Sequence, residues 1–395
     1  MPWKETCVMN ERTILLGEFL TGGYSVSQLA RRRGISRKTA IKWIERYEEE
    51  GWAGLEDRSR APHHQPYAIG EAVEQRILEL KAQWPLWGAP KIHAKLLREA
   101  EGGGGPSEST VSNVLQRHGL TRQKRRRARA SATPSPSPLI HCQRPNQVWC
   151  VDFKGWFRTG DGRRCDPLTI TDAYSRYLLC CHGIGTTTGT ITVKPLFEAT
   201  FREYGLPEAM RSDNGAPFAS PGLAGLTRLS VWWMKLGIRL ERIEPGEPQQ
   251  NGRHERMHRT LQEATTPACA NLRLQQKAFS TFRREFNQER PHEALGQKPP
   301  AEFYVPSARD YPERLVGWDY PDDWQKRKIS PGGQMRWNSQ KVHVSHALVD
   351  ETIGLKPMEE EGLWLVYFRD LRLGHWDEQT RRLRPCRELC YDPKL

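Results

Sequence analysis

Between residues 10 and 50, apolar positions recur at helical spacing in three short runs. NERTILLGEFLTGG ends in a glycine pair, SVSQLARRRG stops at Gly34, and SRKTAIKWIERYEEEG opens on Ser36 and stops at Gly51. A serine before a helix accepts from its first free N–H groups, and a glycine after it takes the left-handed conformation that ends the helix. Three helices are therefore predicted. Leu29, Ala30, Ile35, Ala40, Ile41 and Ile44 form a small core and leave Arg37, Lys38, Thr39 and Lys42 on the outer face of the third helix. With Ala30, Gly34 and Ile35 at the tight turn, this is the pattern of a helix–turn–helix, whose second helix enters the DNA major groove. The plainer alternative is a three-helix bundle with a solvated charged face.

After a linker-like stretch, GLEDRSRAPHHQP, residues 70 to 119 repeat the theme. EAVEQRILELKAQWP, GAPKIHAKLLREA and SESTVSNVLQRHGL read as amphipathic helices, the last capped by Ser107 or Ser109, with a flexible GGGG at 102–105. This is a candidate second helical, winged-helix-like DNA-binding module, with His93 and His118 as surface or packing residues. TRQKRRRARASATPSPSP then joins a basic run, carrying Arg122, Lys124, Arg125, Arg126, Arg127 and Arg129, to a Ser/Pro-rich extended segment. The cations suit phosphate contacts.

From residue 148 the period changes. VWCVDFKGWF and the two halves of CDPLTITDAYSRYLLCCHGI are β-prone and separated by short turns, which predicts an antiparallel meander. Helical and strand-like runs then alternate to about residue 290, giving the order βββαβαβαα and a mixed sheet flanked by helices. Residues 318 to 395 return to short β-like pieces, among them the hairpin FRDLRLGHW. The expected architecture is multidomain: all-α helix–turn–helix modules at 8–60 and 66–120, a basic Pro/Ser-rich linker at 121–142, an α/β core with a mixed sheet at 143–305, and a small β-barrel-like, DNA-binding domain at 318–395.

Composition sharpens this picture. The 395 residues carry a net charge of +13, which favours a polyanionic partner, most often nucleic acid. Mean hydropathy is −0.73 and no run of about 18 apolar residues exists, so no membrane span is expected. The charged start, MPWKETCVMNERT, lacks a signal-peptide pattern, and a cytoplasmic, nucleoid-associated location is expected. The nine cysteines are scattered without paired CxxC spacing, so neither disulfides nor a structural zinc is expected.

Three carboxylates stand out. Asp152 lies inside an apolar strand, where a carboxylate is costly unless paired or metal-bound, the plainer alternative being an Asp near the strand edge or bonded to a neighbouring donor. Asp213 ends a strand in RSDNGAPF, where a turn-making role is the simpler reading. In the helix from about Asn251, Met257, Leu261 and Ala264 share one stripe, while Glu255, Arg259 and Gln262 share the opposite side. Glu255 therefore faces outward, with an i,i+4 ion pair to Arg259 as the simpler reading. Asp161 and Asp172 sit in turns and read as structural. Glu244 and Glu247 sit in a Pro/Gly loop and are less rigidly held.

WCVDF, RSDNGAPF and PQQNGRHERMHRTL, in that order, resemble the integrase-type DDE transposases of bacterial insertion sequences, relatives of retroviral integrases in the ribonuclease H-like fold. FNQERPHEALGQKPPAEFY resembles the segment that closes the catalytic domain, and the likeness runs over roughly residues 10 to 305. Glu255 lies 42 positions after Asp213, somewhat longer than in the retroviral relatives. The resemblance implies a catalytic, metal-holding triad of Asp152, Asp213 and Glu255 around two Mg²⁺, with Mn²⁺ able to substitute. Asp152 would bridge both ions. Carboxylates suit that hard cation, and two ions about 4 Å apart stabilise the attacking and leaving oxygens of an in-line displacement at phosphorus. Water cleaves and the freed 3′-OH joins, with no covalent enzyme intermediate. Asn214, Gln250, Asn251, Arg253 and Arg259 are expected DNA contacts, although Asn214, Gly215, Gln250, Asn251 and Gly252 could equally only shape turns. His254 and His258 are expected at phosphates, and Trp149, Trp156, Trp232 and Trp233 in the core rather than as base-stacking platforms. Partners implied are double-stranded DNA, as element ends and target, and further copies of the chain, at least a dimer in a synaptic complex. The alternatives are an inert, transposase-derived DNA-binding regulator and a nuclease of the same fold acting on RNA–DNA hybrids.

Overall fold

A computed structural model describes residues 7–58, 69–100, 104–121, 139–244, 247–393 and 395. The chain divides into two units, Met1–Ile69 and Gly70–Leu395. The cations Arg122, Lys124, Arg125, Arg126, Arg127 and Arg129 lie outside the described residues.

In the first unit, α1 (Val8–Leu20), α2 (Val26–Arg32) and α3 (Arg37–Glu50) follow the predicted runs. Ser25 caps α2 in a reciprocal box with Gln28, and Ser36 caps α3 by accepting from Thr39 N at 3.1 Å. Gly34, at φ +66°, ends α2. Its N–H donates to Arg31 O at 3.3 Å and that of Ile35 to Ala30 O at 3.0 Å, the paired bonds that close a helix through a left-handed residue. Leu29, Ala30, Ala40 and Ile44 are buried with Leu15, Leu16 and Leu55, while Ile35 and Ile41 are only half-buried. Trp43, which the periodicity did not single out, completes this core with the Arg12 guanidinium 3.7 Å from its ring centroid.

The second unit begins with α4 (Glu71–Gln83), α5 (Ala89–Glu99) and α6 (Glu108–Arg117), the last capped by Ser107. Ile77, Leu80, Ile92, Leu96, Val111, Val114 and Leu115 are buried among these helices.

The central sheet is built by β1 (Val148–Phe153), β2 (Phe157–Arg158), β3 (Arg164–Asp172), β4 (Leu178–Ile184), then β5 (Ala209–Ser212) after α7 (Thr190–Tyr204), and β6 (Arg239–Arg242) after α8 (Arg228–Lys235). β3 pairs antiparallel with β1, β2 and β4, and β1–β5–β6 run parallel, so the sheet is mixed. α9 (Gly252–Ala264) and α10 (Leu272–Gln288) follow. Side chains alternate across the sheet. Trp149, Val151, Leu168 and Ile170 join Phe197, Phe201 and Trp233 on one face, while Cys165, Leu178 and Cys181 meet Met257, Leu261, Phe279, Phe282 and Phe286 on the other.

The C-terminal strands are β7 (Gln325–Lys328), β8 (Gln334–Trp337), β9 (Gln340–His343), β10 (Thr352–Pro357), β11 (Leu363–Phe368), β12 (Leu371–Asp377) and β13 (Arg382–Tyr391). They form an antiparallel sheet ordered β13-β12-β11-β10-β7 and a separate β8-β9 pair. Neither the helical module nor this sheet-rich part stands alone. Lys95 meets Glu289 at 2.8 Å, Arg98 meets Glu302 at 3.5 Å, and Lys91 Nζ donates to Pro291 O just beyond α10. At the other end Tyr391 Oη receives the N–H of Leu240 at 2.6 Å, Lys235 pairs with Glu351 at 2.6 Å, and one hydrophobic core runs from Trp149 to Trp376. Gly70–Leu395 thus forms one compact unit. All nine cysteines are free thiols. Among the described residues no helix is long and apolar enough to cross a membrane.

Candidate active site

Strand register brings two of the three acidic residues together. Cys150 of β1 and Arg211 of β5 are partners in adjacent parallel strands. Two positions on, Asp152 and Asp213 occupy neighbouring places at the same end of those strands, where spacing between chains is about 4.8 Å. Asp152 Oδ1 accepts from Phe153 N at 2.8 Å, and Asp213 Oδ1 accepts from Gly215 N at 3.2 Å. Gly215 is part of the fit, because a Cβ there would stand 3.0 Å from Asp213 Oδ2. Arg211 is fixed beneath them by a buried ion pair with Glu241 at 2.6 Å.

Glu255 arrives on the first turn of α9, exposed, with no hydrogen bond or ion pair among the described residues. The i,i+4 pair with Arg259 is not formed. Asp152 senses both other carboxylates. Burial first, then the charge of Asp213, then that of Glu255 push its pKa from the usual 3.8 to about 7, against the opposing bond from Phe153 N. Among the described residues no three His, Cys, Asp or Glu side chains stand grouped closely enough to hold a metal ion.

α9 is fastened to the sheet by residues expected to do something else. His254 and His258 are 2% and 7% exposed and do not reach phosphate from the surface. Both direct Nε2 at Thr169 Oγ1 at 2.7 Å, and His254 Nδ1 meets Thr171 Oγ1 at 2.8 Å. Thr169 is the β3 partner of Asp152 and donates to its backbone oxygen at 3.1 Å. That hydroxyl has one proton, so both imidazoles donate through Nε2–H and Thr171 donates to His254 Nδ1. Both rings are neutral. Burial, then His258, lowers the His254 pKa far below normal, and burial, then Lys154, lowers that of His258 to about 3. His258 Nδ1 stands 3.9 Å from Asp152 Oδ2. The sequence held the signal: His254, Met257, His258 and Leu261 follow the i, i+3, i+4, i+7 stripe of a buried helix face.

The other expected residues divide. Arg253 and Arg259 are exposed on α9, and Arg253 Nη1 touches Ala173 O at 3.3 Å. Asn214 is exposed but spans two loops, donating to Ile243 O at 2.7 Å. Gln250 Oε1 accepts from Glu244 N at 2.9 Å and so shapes the turn before α9. Asn251 is 4% exposed and faces inward, which corrects its assignment to a DNA-facing surface. On α3, Arg37, Lys38 and Lys42 are exposed, whereas Thr39 is half-buried with its hydroxyl 2.8 Å from Ser36 Oγ. Asp172 is structural, accepting from Asn146 N and Ser175 N at 2.7 Å each, and Asp161 accepts from Thr159 Oγ1 within its turn. Trp149, Trp232 and Trp233 are buried, but Trp156 is 56% exposed, contrary to expectation. A groove of about 650 Å³ lined by Lys341, His343, Arg381, Arg382 and Arg384 lies on the C-terminal strands, apart from the carboxylates.

Comparison with known families matches a helix-turn-helix domain at residues 11–63 and a homeodomain-like domain at 39–115. An integrase core domain matches at 143–248 and again at 236–300, and an IS481 family transposase C-terminal domain at 325–384. The chain is 28% identical over 241 residues to an uncharacterized 31.7 kDa protein of insertion element IS407 from Burkholderia multivorans, covering 59% of this chain and 80% of that protein. It is 28% identical over 248 residues to an uncharacterized 39.2 kDa protein of insertion element IS476 from Xanthomonas euvesicatoria, covering 60% and 66%. A stretch of 79 residues is 38% identical to the Gag-Pol polyprotein of baboon endogenous virus, only 4% of that polyprotein. Among solved structures, a simian T-cell lymphotropic virus intasome in complex with PP2A regulatory subunit B56 gamma covers 80% of this chain and 98% of its own at 17% identity and TM-score 0.38. The HTLV-2 integrase catalytic core domain in complex with magnesium covers 42% and 100% at 17% identity and TM-score 0.34.

Proposed function

We infer that this chain, which carries the helix-turn-helix, integrase core and transposase C-terminal domains of integrase-type insertion-sequence transposases, cuts the ends of its own element and joins their 3′-OH groups to target DNA. One observation carries the reading. Asp152 on β1 and Asp213, the residue just after β5, each follow by two positions the register partners Cys150 and Arg211 of adjacent parallel strands, and Glu255 rides a helix pinned to the register partner of Asp152.

The donor set suits Mg²⁺ or Mn²⁺. All three groups are hard oxygen ligands, and Mg²⁺ takes few protein ligands and keeps several waters. Burial first, and then the charges of Asp213 and Glu255, raise Asp152, and a cation at this place would offset both. Asp152 and Asp213 would each offer the carboxylate oxygen not engaged by a backbone N–H, and Glu255 a carboxylate with no hydrogen bond or ion pair among the described residues. A bound pair of divalent cations supplies charge stabilisation to the attacking and leaving oxygens at phosphorus. The protein's own part is positional. The buried Thr169–His254–His258 cluster holds α9 in register, Gly215 leaves room for Asp213, and Arg253 and Arg259 offer cations to the DNA backbone. Arg37, Lys38 and Lys42 on α3 grip duplex DNA, with residues 66–120 and 318–395 as further DNA-binding segments around a catalytic core at 143–305. No serine or tyrosine nucleophile is required. Two ends must be joined at nearby target positions, so the working form is at least a dimer.

The test uses the full chain and duplexes made from the DNA immediately flanking its gene. With Mg²⁺ the wild type nicks these ends and joins them to a second duplex. Asp152→Asn abolishes both steps and leaves DNA binding intact. Retained strand transfer by that variant would sink the assignment of the site. A wild type inert on these ends with either metal would instead favour a DNA-binding regulator.

A further inference from the structure

Among the described residues Trp156 and Trp52 are the two most exposed tryptophans, and Trp156 is the one close in sequence to the carboxylates. It lies four residues after Asp152, in the connection from β1 to β2, with 56% of its surface exposed. Its surroundings are built. Arg164 stands 5.2 Å from the ring centroid and Arg158 5.9 Å. Arg164 is held there by Asp166, a buried carboxylate at 2.9 Å, and Arg158 by the backbone oxygen of Gly162 at 2.7 Å. Lys154 and Arg163 add two further cations to this hairpin, and its acids are Asp161, folded into its own turn, and Asp166. An exposed aromatic ring framed by fixed guanidinium groups is complementary to a base with its phosphates, since bases stack on aromatic rings while arginines meet the backbone.

We propose that Trp156 is a stacking platform for an unpaired DNA base next to the reacting phosphodiester, with Arg158 and Arg164 holding the phosphates that flank it. The inference deepens the transposase reading and rests on it for the identity of the strand. Four residues span at most about 14 Å, which is about four base steps at 3.4 Å each. A base inside a duplex has both faces covered by its neighbours, so the platform selects a strand end or a base released from pairing. The ring would thereby hold the strand open or frayed where the carboxylates act.

The experiment uses the full chain with chelator present, a mixed-sequence 12-nucleotide single strand carrying one 2-aminopurine, and the blunt duplex of the same sequence. Trp156→Ala is expected to weaken binding of the single strand by about 5- to 150-fold and to abolish 2-aminopurine quenching. Trp156→Phe, which keeps a ring, stays within about threefold, and duplex binding by Trp156→Ala changes by less than about twofold. Undiminished strand binding by Trp156→Ala would overturn the proposal. So would equal losses on strand and duplex, or a change in sedimentation of the DNA-free protein, which would mean that the ring packs between copies of the chain. Asp152→Asn separates this from the function itself: it must leave strand binding and quenching unchanged while removing cleavage.

Discussion

Thr169→Val is the sharpest probe of how this chain places its third carboxylate. The substitution keeps shape and volume and deletes one hydroxyl, which accepts from Nε2–H of both His254 and His258 at 2.7 Å. All three residues are buried, so water cannot replace the lost acceptor. An orphaned buried donor costs about 1–3 kcal/mol, so two orphaned N–H groups should cost roughly 2–6 kcal/mol. The loss falls where α9 meets β3. At its lower bound it corresponds to about a 30-fold loss of amide-exchange protection in that helix. Hydrogen exchange followed by mass spectrometry on the full chain reads this segment by segment, with α10 as internal reference. Thr169→Ser keeps the hydroxyl and should restore protection to within about 1 kcal/mol, the worth of the missing methyl. Metal-dependent cleavage should follow the same order, wild type and serine above valine. Exchange in α9 of the valine variant equal to wild type would refute the claim that this cluster holds Glu255 in place.

Three further outcomes are expected. Gly215→Ala puts a Cβ 3.0 Å from Asp213 Oδ2, so cleavage should fall at least tenfold while the unfolding midpoint in urea stays near that of wild type; unchanged cleavage would show that the carboxylate has room to spare. Asp152, raised by burial to about 7 from 3.8, keeps its proton in the folded chain over a range where the unfolded chain has lost it. Its stabilising contribution is therefore complete below about pH 4 and disappears as pH rises through 7. In chelator, the stability of Asp152→Asn relative to wild type should grow from pH 4 to 7 and level off above, and a difference independent of pH would contradict the buried, mutually repelling site. Replacing Arg37, Lys38 and Lys42 by alanine should make the slope of log affinity against log salt for duplex DNA shallower by about 3, and an unaltered slope would remove α3 from the interface.

Much of this was readable in the sequence, for identifiable reasons. Serine before and glycine after the second and third N-terminal runs act locally, so Ser36 and Gly34 marked their helix ends without tertiary help. The order of strands and helices in the core followed from a change of period that distant contacts do not alter. The settings of Asp152, Asp213 and Glu255 alone allowed plainer roles, and it was the ordered resemblance of the three motifs that joined them into one proposed site. What sequence spacing could not supply was which surfaces are shared. His254 and His258 look like phosphate ligands amid arginines until Thr169 and Thr171 are seen beneath them, because that pairing joins residues more than 80 positions apart. Trp156, expected in the core, is exposed, and Asn251, left open between DNA contact and turn-shaping, is buried, since polarity and size predict burial only on average. Nor did composition reveal that residues 318–395 continue the core of the central sheet through Leu240 and Tyr391.

The central claim is that Asp152, Asp213 and Glu255 jointly hold the divalent cations of a strand-cleaving site. Electron paramagnetic resonance of Mn²⁺ titrated into the full chain at pH 8 tests it without any assumption about the DNA substrate. The account predicts bound Mn²⁺ in the wild type and its loss in Asp152→Asn, Asp213→Asn and Glu255→Gln alike, with Asp172→Asn, if folded, still binding. Equal Mn²⁺ binding in the wild type and the three triad variants would contradict it.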